Sequence, residues 1–128
     1  MTAIVDITLT AAHVVFGGNA GHGRYFYSFS PDVITVGKGQ TPVKLIYRLD
    51  KEVSHHFKIR AVLNSDARGQ IERTAIAPDG RSAEVYNLNT VQTLIFFSVL
   101  IYDDKRDQLF SCDPQVGNDP EILPQPLR

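Results

Sequence analysis

The 128-residue sequence has no tryptophan, one methionine and one cysteine. With Cys112 alone, no disulfide can close within the chain, so stability has to come from buried apolar surface. A reducing compartment suits such a composition. No charge of one sign dominates, since thirteen basic residues face fourteen acidic ones and leave a formal charge of −1. The basic residues are scattered, and the adjacent pair Lys105-Arg106 is hemmed in by Asp103, Asp104 and Asp107. Binding to nucleic acid draws on clustered cations that neutralise phosphates, so that role is disfavoured, as is an electrostatic membrane anchor. Long apolar runs are also missing. The longest, Leu94 to Ile101, is interrupted by Ser98 and falls well short of the ~20 residues of a membrane helix. The opening Met-Thr-Ala-Ile-Val-Asp has no basic segment and an acid at position six, unlike a signal peptide, and the expectation is a cytoplasmic protein.

What the sequence does contain is alternation. Val43, Leu45, Tyr47 and Leu49 share one face against Lys44 and Arg48, and Phe57, Ile59, Ala61 and Leu63 repeat the pattern against His56, Lys58 and Arg60. This period of two marks half-buried strands. The segment 93–101 is apolar on both faces, which suits a central strand covered on both sides. Turn residues separate the runs at Gly17-Gly18-Asn19, Ser30-Pro31-Asp32, Gly37-Lys38-Gly39, Asn64-Ser65-Asp66, Pro78-Asp79-Gly80 and Asp103-Asp104-Lys105. Strands are expected near 3–10, 12–16, 24–29, 33–37, 42–49, 56–63, 71–77, 82–88, 92–102 and 108–112, some of which merge or fail. No stretch carries a helical stripe. The fold expected is all-β, an immunoglobulin-like antiparallel β-sandwich of about seven to nine strands. It occupies residues 1–112, with an extended proline-rich C-terminal tail at 113–128. That tail holds four of the seven prolines, and proline cannot donate to a ladder.

Candidate chemistry is sparse. His55 and His56 are adjacent at the start of an expected strand, where their side chains diverge, and His13 and His22 are distant in sequence. No histidine follows Cys112, so the ligand order of a blue-copper site is absent. The glycine-rich segment 17–23 lacks the spacing and the following helix of a phosphate loop, and reads as a flexible hairpin loop. Cys112 lies beside Asp113, which raises a thiol pKa, and Ser98 sits mid-strand. Neither has the base or sharp turn of a nucleophile. No catalytic residue, metal site or cofactor is assigned. Asp113, Asn118, Asp119 and Glu121 could supply oxygen ligands of the kind calcium prefers, although their spacing departs from an EF-hand loop.

The same segment, Asp113-Pro114-Gln115-Val116-Gly117-Asn118 followed by Asp119-Pro120, resembles the DP-EP family of small bacterial proteins. Position 119 holds Asp where the family's name has Glu. Val5-Asp6-Ile7-Thr8-Leu9 and Val33-Ile34-Thr35-Val36 are similar in style. The resemblance implies a compact bacterial β-sandwich and supplies no catalytic residues. Two functions therefore stand as expectations. One is a non-enzymatic binding or protein-interaction module, with a homo-oligomer or another protein as partner. The other is a small-ligand or calcium-binding, or hydrolytic, domain in which His22, His55 and the Asp113–Glu121 segment converge.

Overall fold

The computed structural model describes residues 2–121. Ten strands account for the regular structure: β1 (Ala3–His13), β2 (Tyr25–Ser30), β3 (Ile34–Val36), β4 (Val43–Leu49), β5 (Phe57–Asn64), β6 (Ile71–Ile76), β7 (Ser82–Asn87), β8 (Thr93–Asp103), β9 (Gln108–Cys112) and β10 (Gln115–Asn118). There is no helix among the described residues, and hence none long and apolar enough to cross a membrane. The first sheet runs β2-β1-β4-β7-β6; the second runs β3-β10-β8-β5, with β9 also on β8. The two sheets pack face to face as a β-sandwich around one apolar cluster, which includes Leu9, Leu45 and Val85 from the first and Ile95, Val99 and Ile101 from the second. Aromatic rings lock the layers together. Tyr25 stacks on Phe110 at 4.0 Å and meets Phe57 edge-on at 5.8 Å, and Tyr47 reaches Phe97 at 6.3 Å. Such pairs add roughly 0.5–1.5 kcal/mol beyond the area they bury.

Three features depart from the sequence-based expectation. The sheets are mixed, because β1 pairs with β4 in parallel and β10 pairs with β3 in parallel. Alternation reports which face a residue occupies and is silent on strand direction, so the antiparallel reading had no physical basis at these two pairs. The stretches 3–10 and 12–16 merge at the front into one eleven-residue strand ending at His13. Finally, the boundary drawn after Cys112 does not divide the structure. Residues 115–118 form β10, inserted between β3 and β8, with Val116 fully buried. Residues 122–128, the rest of the expected tail, lie outside the described residues.

β8 explains how this insertion works. Its second half pairs with β9 from Val99 to Asp103, and its first half pairs with β10 from Thr93 to Phe96, both along the same edge. The return strand is broken only at Asp113-Pro114, where the Pro114 carbonyl still accepts a bond from the Phe97 N–H at 2.9 Å. Proline has no N–H to contribute to a ladder, so the break falls where pairing would otherwise be incomplete.

Candidate functional site

The interior holds polar groups, among them Asn87, Asn89, Asp103 and Asn118. Asn118 was a candidate ligand, yet it is 2% exposed and faces inward from β10. Its amide forms a reciprocal pair with Asn87 of β7, at 2.7 and 2.8 Å, bridging the two sheets. Asn87 Oδ1 also accepts the Asn89 N–H at 3.1 Å. Both ends of the Asn118 amide are thereby engaged, and it has no free oxygen to offer an ion.

The other candidate residues do not converge. Asn118 pairs opposite Thr93 at one end of β8, with Asp119 and Glu121 beyond it. His55 precedes β5, whose Phe57 pairs with Asp103 at the other end of β8. His22 is exposed in the loop between β1 and β2, next to Gly21, which packs on Tyr25 and Phe110 near that same far end. Eleven residues of strand put the two groups roughly 30 Å apart. Among the described residues no group of three or more His, Cys, Asp or Glu is placed to hold a metal ion.

His55 and His56 also differ from expectation. They sit in a turn ahead of the strand, so their rings pack at 4.2 Å rather than diverging. The glycine loop is likewise structured, with Gly18 N–H bonded to the Gly23 carbonyl at 3.0 Å and Gly23 N–H to the Ala20 carbonyl at 3.1 Å. A Cβ at Gly21 would come within 2.7 Å of the Tyr25 ring, and its φ of +55° is left-handed. Glycine is there because the loop lies directly on the aromatic core.

Asp113 is the candidate residue that lines a concave surface. It sits at the break between β9 and β10 and borders two clefts. One, of about 430 Å³, lies against β2 and includes Asn19, Tyr27, Asp32 and Gln115. The other, of about 380 Å³, opens on the outer face of the second sheet between Leu63, Phe96 and Ser98. The Asp113 N–H donates to Tyr27 Oη at 3.2 Å, and its carboxylate accepts from Ser111 Oγ. Ser111 Oγ in turn accepts from Ser98 Oγ at 2.5 Å. This chain of hydroxyls ends on a carboxylate with no imidazole or amine in it, so it orders the break and supplies no activated nucleophile. Cys112, next in sequence, is fully buried. Burial first, and the Asp113 charge second, push its thiol pKa far up, which leaves it an inert core residue.

A feature that sequence periodicity did not disclose lies beside Asp113. On the outer face of the second sheet, Leu94 and Phe96 of β8 and Leu63 of β5 are 54%, 55% and 56% exposed. The segment 93–101 was expected to be covered on both sides; on its outer side Leu94 and Phe96 are exposed, while Ser98 and Leu100 are half-buried. Gln115 and Gly117 of β10 flank Phe96 and Leu94 in register.

A second carboxylate is anchored far more deeply. Asp103 is fully buried, and accepts from Tyr25 Oη at 2.7 Å, from Arg106 Nη1 at 3.1 Å and from the Lys105 N–H at 3.1 Å. Burial alone would raise its pKa, but these bonds to the ionised form outweigh it and hold the pKa below the ordinary 3.8. Asp66 is lowered too, because the Ile71, Arg68 and Gln70 N–H groups outweigh the effect of burial. A carboxyl with a depressed folded-state pKa stabilises above the unfolded value and loses that contribution as pH falls through the folded one. Unfolding free energy is therefore expected to be flat near neutrality and to decline as pH drops below about 4. Urea titrations from pH 7 to pH 2 test this, and Asp103→Asn is expected to give a less steep acid decline from a lower plateau.

No protein-family model matches this chain, and no curated protein matches it in sequence.

Proposed function

We propose that this protein is a non-enzymatic, cytoplasmic interaction module built on an immunoglobulin-like sandwich of the DP-EP type. Its binding surface lies on the outer face of the second sheet. The observation that carries this reading is the cluster Leu63, Leu94 and Phe96, more than half exposed side by side on neighbouring strands, with Leu63 and Phe96 bordering a cleft that Asp113 also lines. Gly117 supports it independently. Glycine inside a strand costs roughly 0.5–1 kcal/mol relative to alanine. Here a Cβ would meet nothing nearer than 3.9 Å, so the chain's own packing does not call for glycine. A glycine of that kind marks a place where another backbone or ligand comes close. Gly117→Ala is accordingly expected to stabilise the free domain by about 0.5 kcal/mol, which chemical denaturation would register.

The occupant's chemistry follows from charge. Asp113 borders both clefts and Asp32 the polar one, while no Lys, Arg or His lines either. The surface fits an extended segment of a partner protein that places apolar side chains on Leu63 and Phe96 and a basic side chain at Asp113. Three exposed apolar side chains are few beside the ~20–30 residues per side of a stable protein–protein interface, which favours a segment over a second folded copy. Amide shifts during titration with acetyl-Leu-Lys-Leu-Lys-Leu-amide test the reading. Saturable shifts at Leu63, Phe96, Asp113 and Gly117, absent for the glutamate counterpart, are expected. Equal response to both peptides, or none, would refute the proposed partner chemistry, and concentration-dependent dimerisation through this face would replace the segment with a second copy.

A further inference from the structure

At the opposite end of the sandwich a separate cleft of about 360 Å³ lies where β1, the 50–57 loop and the β8–β9 turn meet. Its polar lining is His13, Glu52, Ser54, His56, Lys105 and Arg106. Two of its donors are held from behind by carboxylates. Arg106 Nη1 is bonded to the buried Asp103, which Tyr25 and two turn N–H groups fix in place. His56 Nδ1 donates to Asp104 Oδ1 at 2.6 Å, leaving Nε2 as its free nitrogen. The ring's position is set further by the His56 N–H, which bonds to Ser54 Oγ at 3.2 Å. Lys105 has no ion-pair partner among the described residues. Asp104 is shared with Lys58 at 3.7 Å, which tempers its charge behind the imidazole.

Orientation of this sort is what a binding site needs, because a donor whose rotamer is already fixed loses less entropy on meeting its ligand. A guanidinium, an ammonium, an imidazole and a hydroxyl approach one cleft from two loops, opposed among its lining residues by the single carboxylate Glu52. Donors arriving from several directions suit a tetrahedral oxyanion, which accepts bonds at each of its oxygens.

We infer that this cleft binds the phosphate group of a small molecule, with Arg106, Lys105, His56 and Ser54 as its donors. The site is independent of the apolar face, and the two stand or fall separately.

The test is titration of the isotope-labelled domain with inorganic phosphate and with phenyl phosphate, ionic strength being held constant with sodium chloride. Saturable shifts of the His13 and His56 ring signals and of the Ser54, Lys105 and Arg106 amides are expected. Loss of a charged hydrogen bond weakens binding about tenfold or more, so Arg106→Gln is expected to reduce affinity by at least that factor. Lys105→Gln removes a cation that has no ion-pair partner among the described residues, and is expected to weaken phosphate several-fold with little change in stability, as for surface positions generally. Shifts that do not saturate, shifts reproduced by chloride alone, or affinity unchanged in both variants would overturn the assignment.

Discussion

Replacing Asn118 with leucine is expected to destabilise the domain by about 2–3 kcal/mol, even though the new side chain is apolar and of similar size. The cost arises on the partner. Asn87 is 1% exposed, and without Asn118 its Nδ2 donor is buried with nothing to bond, a penalty of roughly 1–3 kcal/mol. Strain from fitting a branched side chain adds to it. The double variant Asn87→Leu/Asn118→Leu removes both amides together and is expected to be more stable than the sum of the two single losses by at least about 1 kcal/mol. Full recovery is not expected, because the Asn89 N–H also loses the Asn87 Oδ1 it bonds to. Urea unfolding of the four proteins measures the coupling. Strict additivity would mean that the amide pair contributes nothing as a pair. The cycle also bears on function, because an Asn118 that served an ion at the surface would be replaceable with little loss of stability.

Arg81 is the second residue whose loss is expected to be felt widely. Its guanidinium donates from Nη1 to the carbonyls of Ser54 and Phe57, both at 2.9 Å, and from Nη2 to those of Val53 at 2.9 Å and Asp50 at 3.3 Å. One side chain thus bonds three carbonyls of the loop between β4 and β5 and the first carbonyl of β5, bracing the loop that also carries Ser54 and His56 to the phosphate cleft. A guanidinium spreads its donors in a rigid fork, and lysine cannot reproduce that geometry. Arg81→Ala is expected to cost about 2–4 kcal/mol, less than four full bonds because water can reach some of the freed carbonyls. Arg81→Lys is expected to recover less than half of it. Denaturant unfolding gives the magnitudes, and hydrogen exchange is expected to quicken first at Val53 and Phe57, whose N–H groups close the loop's own turns.

Much of the sandwich was legible from alternation. β4, β5 and β7 lie within one residue of their expected bounds, because in each the inward positions alternate with mostly polar outward ones, Ala83 and Val85 being the apolar pair in β7. β10 was missed for an equally physical reason. Of its four residues only Val116 is an inward apolar group, the other inward residue being Asn118, and two prolines flank it. Its signal is indistinguishable from a turn until the partner strands are known. Hydrophobicity on both faces of β8 pointed to a doubly covered strand, since burial is the commoner cause; periodicity cannot tell a residue kept apolar for its own core from one kept apolar for another molecule. Of the candidate site residues, Asp113 borders a cleft. Asn118 is consumed by the fold, and His22 and His55 lie far from Asp119 and Glu121. The Arg81 clamp left no mark in the sequence, where it is simply the residue after a Pro-Asp-Gly turn. The Arg106 and His56 pairings were equally hidden, because they depend on Asp103 and Asp104 facing different ways from one short turn.

The interaction surface proposed for the second sheet rests on Leu94 and Phe96 being dispensable to folding. The direct measurement is the unfolding free energy of the double variant Leu94→Thr/Phe96→Thr. Threonine keeps strand propensity while removing the exposed apolar side chains. Stability within about 0.5 kcal/mol of the parent is expected, as for surface positions generally. A loss of about 2 kcal/mol or more would place both side chains in the domain's own stabilising core and contradict a face held open for a partner.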